Sequence, residues 1–150
     1  MEIERKFLIK KCPDNLNSFP CHMIEQGYLN TNPVVRVRRE DETYYLTYKG
    51  SGMMAREEYN LPLNEQAYQH LIQKADGNII SKKRYLIPLN QGLTAELDVF
   101  APPFEPLIMV EVEFASIDEA QQFQPPLWFD KEVTNDLDYH NSIMSKKEFK

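Results

Sequence analysis

Cysteine is scarce in this 150-residue chain. Cys12 and Cys21 form no CxxC pair, and His22, His70 and His140 fall in three separate segments. That scatter excludes a zinc site or a Cys/His nucleophile, and both thiols are expected to be free. No apolar run approaches the ~20 residues that cross a bilayer. The opening MEIERKFLIK interrupts its apolar residues with charge, so no secretory signal is read there and the expected address is cytoplasmic, with no membrane partner. A basic excess is missing too. The 17 Lys and Arg stand against 23 Asp and Glu, a net charge of −6, which speaks against a nucleic-acid partner. Repeats, low-complexity tracts and long linkers are absent; Pro102-Pro103, Pro106 and Pro125-Pro126 read as turns.

What the chain does have is alternation. With 42% hydrophobic and 27% charged residues it reads as a single globular domain over 1–150. Period-two patterning predicts strands near Glu2–Lys10, Met23–Asn30, Val34–Arg39, Thr43–Tyr48 running into Lys49, Ala55–Leu61, Ser81–Pro88, Leu93–Val99 and Ile108–Phe114. Helices are fewer. Asn64 caps one expected to run through Ala75 and to end at Asp76-Gly77, where glycine suits a left-handed terminus. Ser116-Ile117-Asp118-Glu119 has the form of a capping box opening a helix to about Phe123, and the tail from about Leu137 also reads as helical. Tyr68, Leu71 and Ile72 have core spacing, and Trp128 and Phe129 read as packing residues. Many strands with few helices predict a mainly β (α+β) antiparallel sheet, closed into a barrel with peripheral helices.

The charges follow the same alternation. Residues two apart on a strand share a face. Glu2, Glu4 and Lys6 share one, opposite Ile3, Arg5, Phe7 and Ile9. Arg36 pairs with Arg38, Lys82 with Arg84, Glu96 with Asp98, and Glu111 with Glu113; Lys49 lies with Thr47 and Tyr45, and Arg56 with Glu58 and Asn60. On one strand such a face is the solvated side of a half-buried sheet. Repeated over seven strands, acid beside acid and base beside base is poor surface design, because like charges repel. Segregation suggests one wall for cations and another for anions.

The opening Glu2-Ile3-Glu4-Arg5-Lys6 matches an ExExK pattern. With RVRR (36–39), LTYKG (46–50), AREEY (55–59), KKRY (82–85), ELDVF (96–100), VEVEF (110–114) and EVT (132–134), the chain resembles the CYTH superfamily of triphosphate tunnel metalloenzymes in that family's order, most closely its short bacterial inorganic tripolyphosphatases. The resemblance implies an eight-stranded closed barrel, the triphosphate tunnel, binding a linear triphosphate with one or two Mg2+ or Mn2+ ions. Carried over residue by residue, Lys6, Tyr28, Arg36, Arg38, Lys49, Arg56, Lys82 and Arg84 would contact substrate. Glu2, Glu4, Glu58, Glu96, Asp98, Glu111 and Glu113 would face metal. Lys6, Lys82 and Glu4 are the catalytic candidates. Three positions depart from the family pattern: Asn60 replaces a further Glu, Tyr28 a basic residue and His140 a lysine.

These residue types suit the chemistry. Arginine forks hold pairs of phosphate oxygens and lysines act as movable charges. Carboxylates without nearby sulfur select hard cations such as Mg2+ or Mn2+. The expected reaction is metal-dependent hydrolysis of tripolyphosphate to pyrophosphate and phosphate. Thiamine triphosphatase, nucleoside triphosphatase and class IV-type adenylate cyclase are the enzymatic alternatives; a non-catalytic polyphosphate-binding module is the other class. The resemblance allows a monomer or a homodimer.

Overall fold

Period-two alternation becomes a wall with two different faces in the computed structural model, which describes residues 1–149. Ten strands form: β1 (Glu2–Ile9), β2 (Cys21–Thr31), β3 (Val34–Glu40), β4 (Thr43–Lys49), β5 (Ala55–Arg56), β6 (Glu58–Leu63), β7 (Asp76–Pro88), β8 (Thr94–Phe100), β9 (Ile108–Glu113) and β10 (Phe129–Glu132). Three short helices accompany them: α1 (Glu65–Ile72), α2 (Ile117–Gln122) and α3 (Asn141–Met144). Among the described residues, no helix is long and apolar enough to cross a membrane.

The strands run in the order β10-β1-β9-β8-β7-β2-β3-β4-β6, every neighbouring pair antiparallel. Closure comes from the segment 55–63. Its first part pairs with β1 (Glu2 opposite Arg56, Ile3 opposite Ala55), and its second part pairs with β4 (Lys49 opposite Glu58, Thr47 opposite Asn60). Glu57 alone separates the two, so what the alternation predicts as one strand serves two partners at opposite ends of the sheet. Counted as one segment, it completes an eight-membered antiparallel barrel. The remaining length of that β1 edge is taken by β10, with Phe7 opposite Glu132.

Apolar residues are divided between two places. Ile3, Phe7, Leu97, Val110 and Val112 point outward from the wall and are buried against Ala120 of α2 and Phe129 of β10. Tyr28, Val34, Ile80, Phe100 and Met109 lie on the other face, in the same parity as the charged positions, and pack with Phe104 and with Met144 of α3. The interior is therefore charged along part of its length and ends on an apolar floor. No polar partner is needed there, which suits a site that must exclude bulk water from one side.

Both predicted caps form: Asn64 accepts from the Ala67 N–H at 2.7 Å and Ser116 from the Glu119 N–H at 3.1 Å. Tyr68 is fully buried, and Phe129 packs 5.0 Å from Phe7, centroid to centroid. The boundaries need three corrections. First, α1 stops at Ile72, short of Ala75. Second, Gly77 keeps its left-handed backbone (φ 70°) but belongs to β7, which begins before the predicted Ser81; a Cβ there would run into the Ser145 carbonyl. Third, β10 escapes the pattern because it has only four residues, of which Phe129 alone is buried. The tail is helical over part of the predicted stretch, broken at His140 into a 3-10 turn (Leu137–Tyr139) and α3; residues 147–149 are not helical, and Lys150 lies outside the described residues.

Candidate functional site

The closed wall encloses a cavity of about 540 Å3. Glu2, Glu4, Lys6, Tyr28, Arg36, Arg38, Lys49, Arg56, Glu58, Lys82, Arg84, Glu96, Glu111 and Glu113 all line it, so the parity reading brings these side chains into one lumen. Asp98 is the exception. It is 1% exposed and does not line the cavity, because both oxygens are engaged below the surface: Oδ2 lies 2.8 Å from Lys82 Nζ and accepts from Arg84 Nη2 at 2.9 Å, and Oδ1 accepts from Arg84 Nε at 2.8 Å. Its role in the geometry is to hold two cations in place.

The ion pairs sort the lumen into stations. Lys49 Nζ donates to both oxygens of Glu2, at 2.9 and 3.1 Å, and lies 3.4 Å from Glu58; Arg56 Nε is 3.7 Å from Glu2. Lys6 Nζ is 3.5 Å from Glu111, and it also donates to the Tyr139 carbonyl at 3.3 Å. Arg84 reaches Glu96 at 3.2 Å and Glu111 at 3.7 Å besides its grip on Asp98. Burial would push the carboxyls of Asp98 and Glu111 up and the Arg84 guanidinium down. The partners win: Arg84 and Lys82 hold Asp98 low, Lys6 and Arg84 hold Glu111 well below the usual range, and Asp98 and Glu96 hold Arg84 well above its own.

Two groups are left over. On the basic side, Arg36 is 5% exposed and has no carboxylate partner among the described residues; its one side-chain hydrogen bond goes to Thr47 Oγ1 at 3.4 Å, and its Nε has none. Beside it Arg38 donates from Nε to Gln26 Oε1 at 2.8 Å and is 3.9 Å from Glu40; burial, Arg36 and Arg84 together lower its pKa. Lys82 is lowered to about 8 by burial, with Arg84 and Arg38 adding to the effect against Asp98. On the acidic side, Glu4 makes no ion pair or side-chain hydrogen bond among the described residues, and burial with Glu111 and Glu2 pushes its carboxyl up to about 8. Glu113 stands directly opposite Glu4 and is itself raised by burial, Glu2 and Glu58; Glu96 is raised chiefly by burial.

This donor set fits a hard cation. The crowded carboxylates are all oxygen ligands, and a dication among them would relieve the repulsion that raises Glu4. Among the described residues no three acidic, Cys or His side chains converge on one point. An ion there would draw the rest of its shell from water and phosphate, the usual habit of magnesium.

Neutral residues complete the site, and one of them, Gln26, escapes the charge pattern. Gln26 is fully buried between Arg38 and Asn141, and Asn60 Oδ1 accepts from Thr47 Oγ1 at 2.6 Å. Gln26 shares the parity of Tyr28, a signal masked by its lack of charge. His140 is buried and donates from Nε2 to the Thr134 carbonyl at 2.8 Å; burial and Lys6 lower its pKa, so it sits neutral.

An antiparallel barrel that turns paired and unpaired ionic groups inward, onto an apolar floor, defines a triphosphate-tunnel architecture. Residues 1–125 match the CYTH domain, and the chain belongs to that family. It is 40% identical over 148 residues to an inorganic triphosphatase of Nitrosomonas europaea, covering 96% of each chain, and 34% identical over 157 residues to one of Acetivibrio thermocellus, covering 99% of this chain and 96% of the relative. A crystal structure described as an inorganic triphosphatase superposes with a TM-score of 0.73 at 37% identity, covering 99% of this chain and 96% of that one.

Proposed function

We propose that this chain hydrolyses inorganic tripolyphosphate to pyrophosphate and phosphate inside the barrel, with Mg2+ or Mn2+. The observation that carries the reading is Arg36. A buried guanidinium without an anionic partner is costly, and so is a second one beside it. A polyanion entering the lumen supplies the partner that Arg36 lacks and a closer one than Glu40, 3.9 Å away, gives Arg38. Inorganic triphosphatases at 40% and 34% identity across nearly the whole chain support the same substrate class.

Arg36, Arg38, Lys82 and Arg84 are the proposed grip on phosphate oxygens, with Tyr28 offering a hydroxyl and Lys6, Lys49 and Arg56 charge from the facing stations. Arg84 and Lys82 arrive already aimed, because Asp98 holds both. Such preorganised donors stabilise charge that develops as water attacks a terminal phosphorus in line; removing one costs on the order of 10²-fold in rate. With a pKa near 8, Lys82 is mostly protonated at neutral pH and can give a proton to the leaving pyrophosphate. Glu4 and the facing Glu113 would hold the cation, with water and phosphate completing its shell, and Glu2, Glu111, Glu58 and Glu96 extend that acidic surface. When bound, the ion neutralises phosphate charge and acidifies a water molecule.

Release of phosphate and pyrophosphate from tripolyphosphate, ATP and thiamine triphosphate, each with Mg2+, Mn2+ or Ca2+, tests the reading. Tripolyphosphate is expected to turn over fastest, only with metal. Faster turnover of ATP or thiamine triphosphate, or cyclic AMP from ATP, would replace the substrate; tight binding of tripolyphosphate without any turnover would replace the enzyme by a binding module.

A further inference from the structure

Lys82 lies at the inner end of the charged lumen, 3% exposed, with Nζ 5.2 Å from the centre of the Phe100 ring. An ammonium has three N–H groups. One meets Asp98 Oδ2 at 2.8 Å and a second donates to Asn141 Oδ1 at 2.9 Å. The third has no protein partner among the described residues, and Lys82 lines the cavity. Asn141 opens α3, beyond the residues that match the CYTH domain.

The orientation of the Asn141 amide is imposed from a distance. Arg38 can only donate, and its Nε donates to Gln26 Oε1 at 2.8 Å. Gln26 is left to donate through Nε2, which it does to Asn141 Oδ1 at 3.0 Å. Asn141 must then turn its oxygen, not its nitrogen, toward Lys82. Neither amide can flip without setting donor against donor. The side chain has no local duty that would explain it otherwise: the N-cap of α3 is His140, without a side-chain cap bond. Docking of the tail has anchors of its own. Asn78 holds the Ser145 carbonyl through its backbone N–H at 2.6 Å and the Lys147 carbonyl through Nδ2 at 2.7 Å, and Met144 packs into the apolar floor.

We propose that Asn141 is a positioning residue for Lys82: it fixes the second N–H of the ammonium so that the third points at the triphosphate. The proposal rests on Lys82 being a substrate-contacting residue, as argued above. A four-carbon stem leaves an ammonium free to swing, and Asp98 alone, shared with Arg84, restrains only one of its donors. Misaiming a catalytic group by even a small displacement lowers the rate without weakening ground-state binding in proportion.

Two near-isosteric variants test it, with steady-state hydrolysis of tripolyphosphate in Mg2+ and thermal melting as readouts. Asn141→Leu removes the acceptor; kcat is expected to fall by about 10- to 100-fold with KM within roughly threefold. Asn141→Asp keeps an oxygen at the same place; kcat is expected within about threefold of wild type, while KM rises because a carboxylate now faces the anion. If Asn141→Leu does not fold, Asn141→Ala carries the same expectation. Unchanged kcat on loss of the acceptor, or equal loss of kcat in the Leu and Asp variants, overturns the proposal. A wild-type protein inactive on every triphosphate sinks the hydrolase reading and this proposal with it, whereas an active wild type with an unaffected Asn141→Leu sinks this proposal alone.

Discussion

Glu4 and Glu113 stand directly opposite each other across β1 and β9, and neither is ion-paired with a lysine or arginine among the described residues. Like charges in that relation destabilise a sheet. Glu4→Gln is therefore expected to cost activity and not stability. Metal-dependent turnover should drop by at least about 10²-fold, while the metal-free variant at pH 8 melts no lower than wild type. Near-normal turnover removes Glu4 from the site; a large fall in melting temperature makes it a structural residue.

The same carboxyl gives stability a pH dependence of stated sign. Burial, with Glu111 and Glu2, raises its folded pKa from 4.5 to about 8. Between these values the folded state binds the extra proton, so this contribution is complete below about pH 4.5 and is lost as pH rises through about 8. Metal-free protein is expected to lose stability over that window, and Glu4→Gln to flatten the slope. Saturating Mg2+ should restore wild-type stability at the alkaline end by binding the folded state. Melting curves at pH 5, 6.5 and 8, with and without Mg2+, check this; a slope of opposite sign, unaltered by Glu4→Gln, contradicts it.

Two lumen arginines should respond in opposite directions. Arg84 is bonded to a carboxylate that is 1% exposed, so Arg84→Met strands Asp98 beside Lys82 alone and is expected to cost about 3–5 kcal/mol. Arg36 has no such partner among the described residues, so Arg36→Met removes an unsatisfied buried donor and is expected to leave the ligand-free protein as stable or more so. Its affinity for tripolyphosphate should nonetheless fall by roughly 10²-fold. Denaturation midpoints and titration calorimetry separate the two; equal destabilisation would mean that Arg36 has a structural partner.

Charged residues made the lumen legible from sequence because a strand has an exact period of two, and spacing alone puts Arg36 with Arg38 and Glu111 with Glu113 on one face. Neutral site residues leave no such trace. Gln26 and Asn141 matter through amide orientation, which depends on partners far away in the chain. The hidden status of Asp98 was equally illegible: its parity with Glu96 is correct, but only the depth of the barrel decides that one meets the cavity and the other lies beneath it. Strand boundaries failed where pairing overrode pattern, at Glu57, where one segment changes partners, and in Asp76–Ile80, which extends β7 along β2 without alternating.

In the proposed site anions meet the arginines and cations the glutamates within one enclosed lumen. Diffraction from crystals grown with tripolyphosphate and Mn2+, using manganese anomalous scattering, decides whether they do. Phosphorus density among Arg36, Arg38, Lys82 and Arg84, with manganese against Glu4 and its acidic neighbours, is the predicted result. Phosphate on the outer wall, or manganese bound away from the Glu4 side, would contradict it.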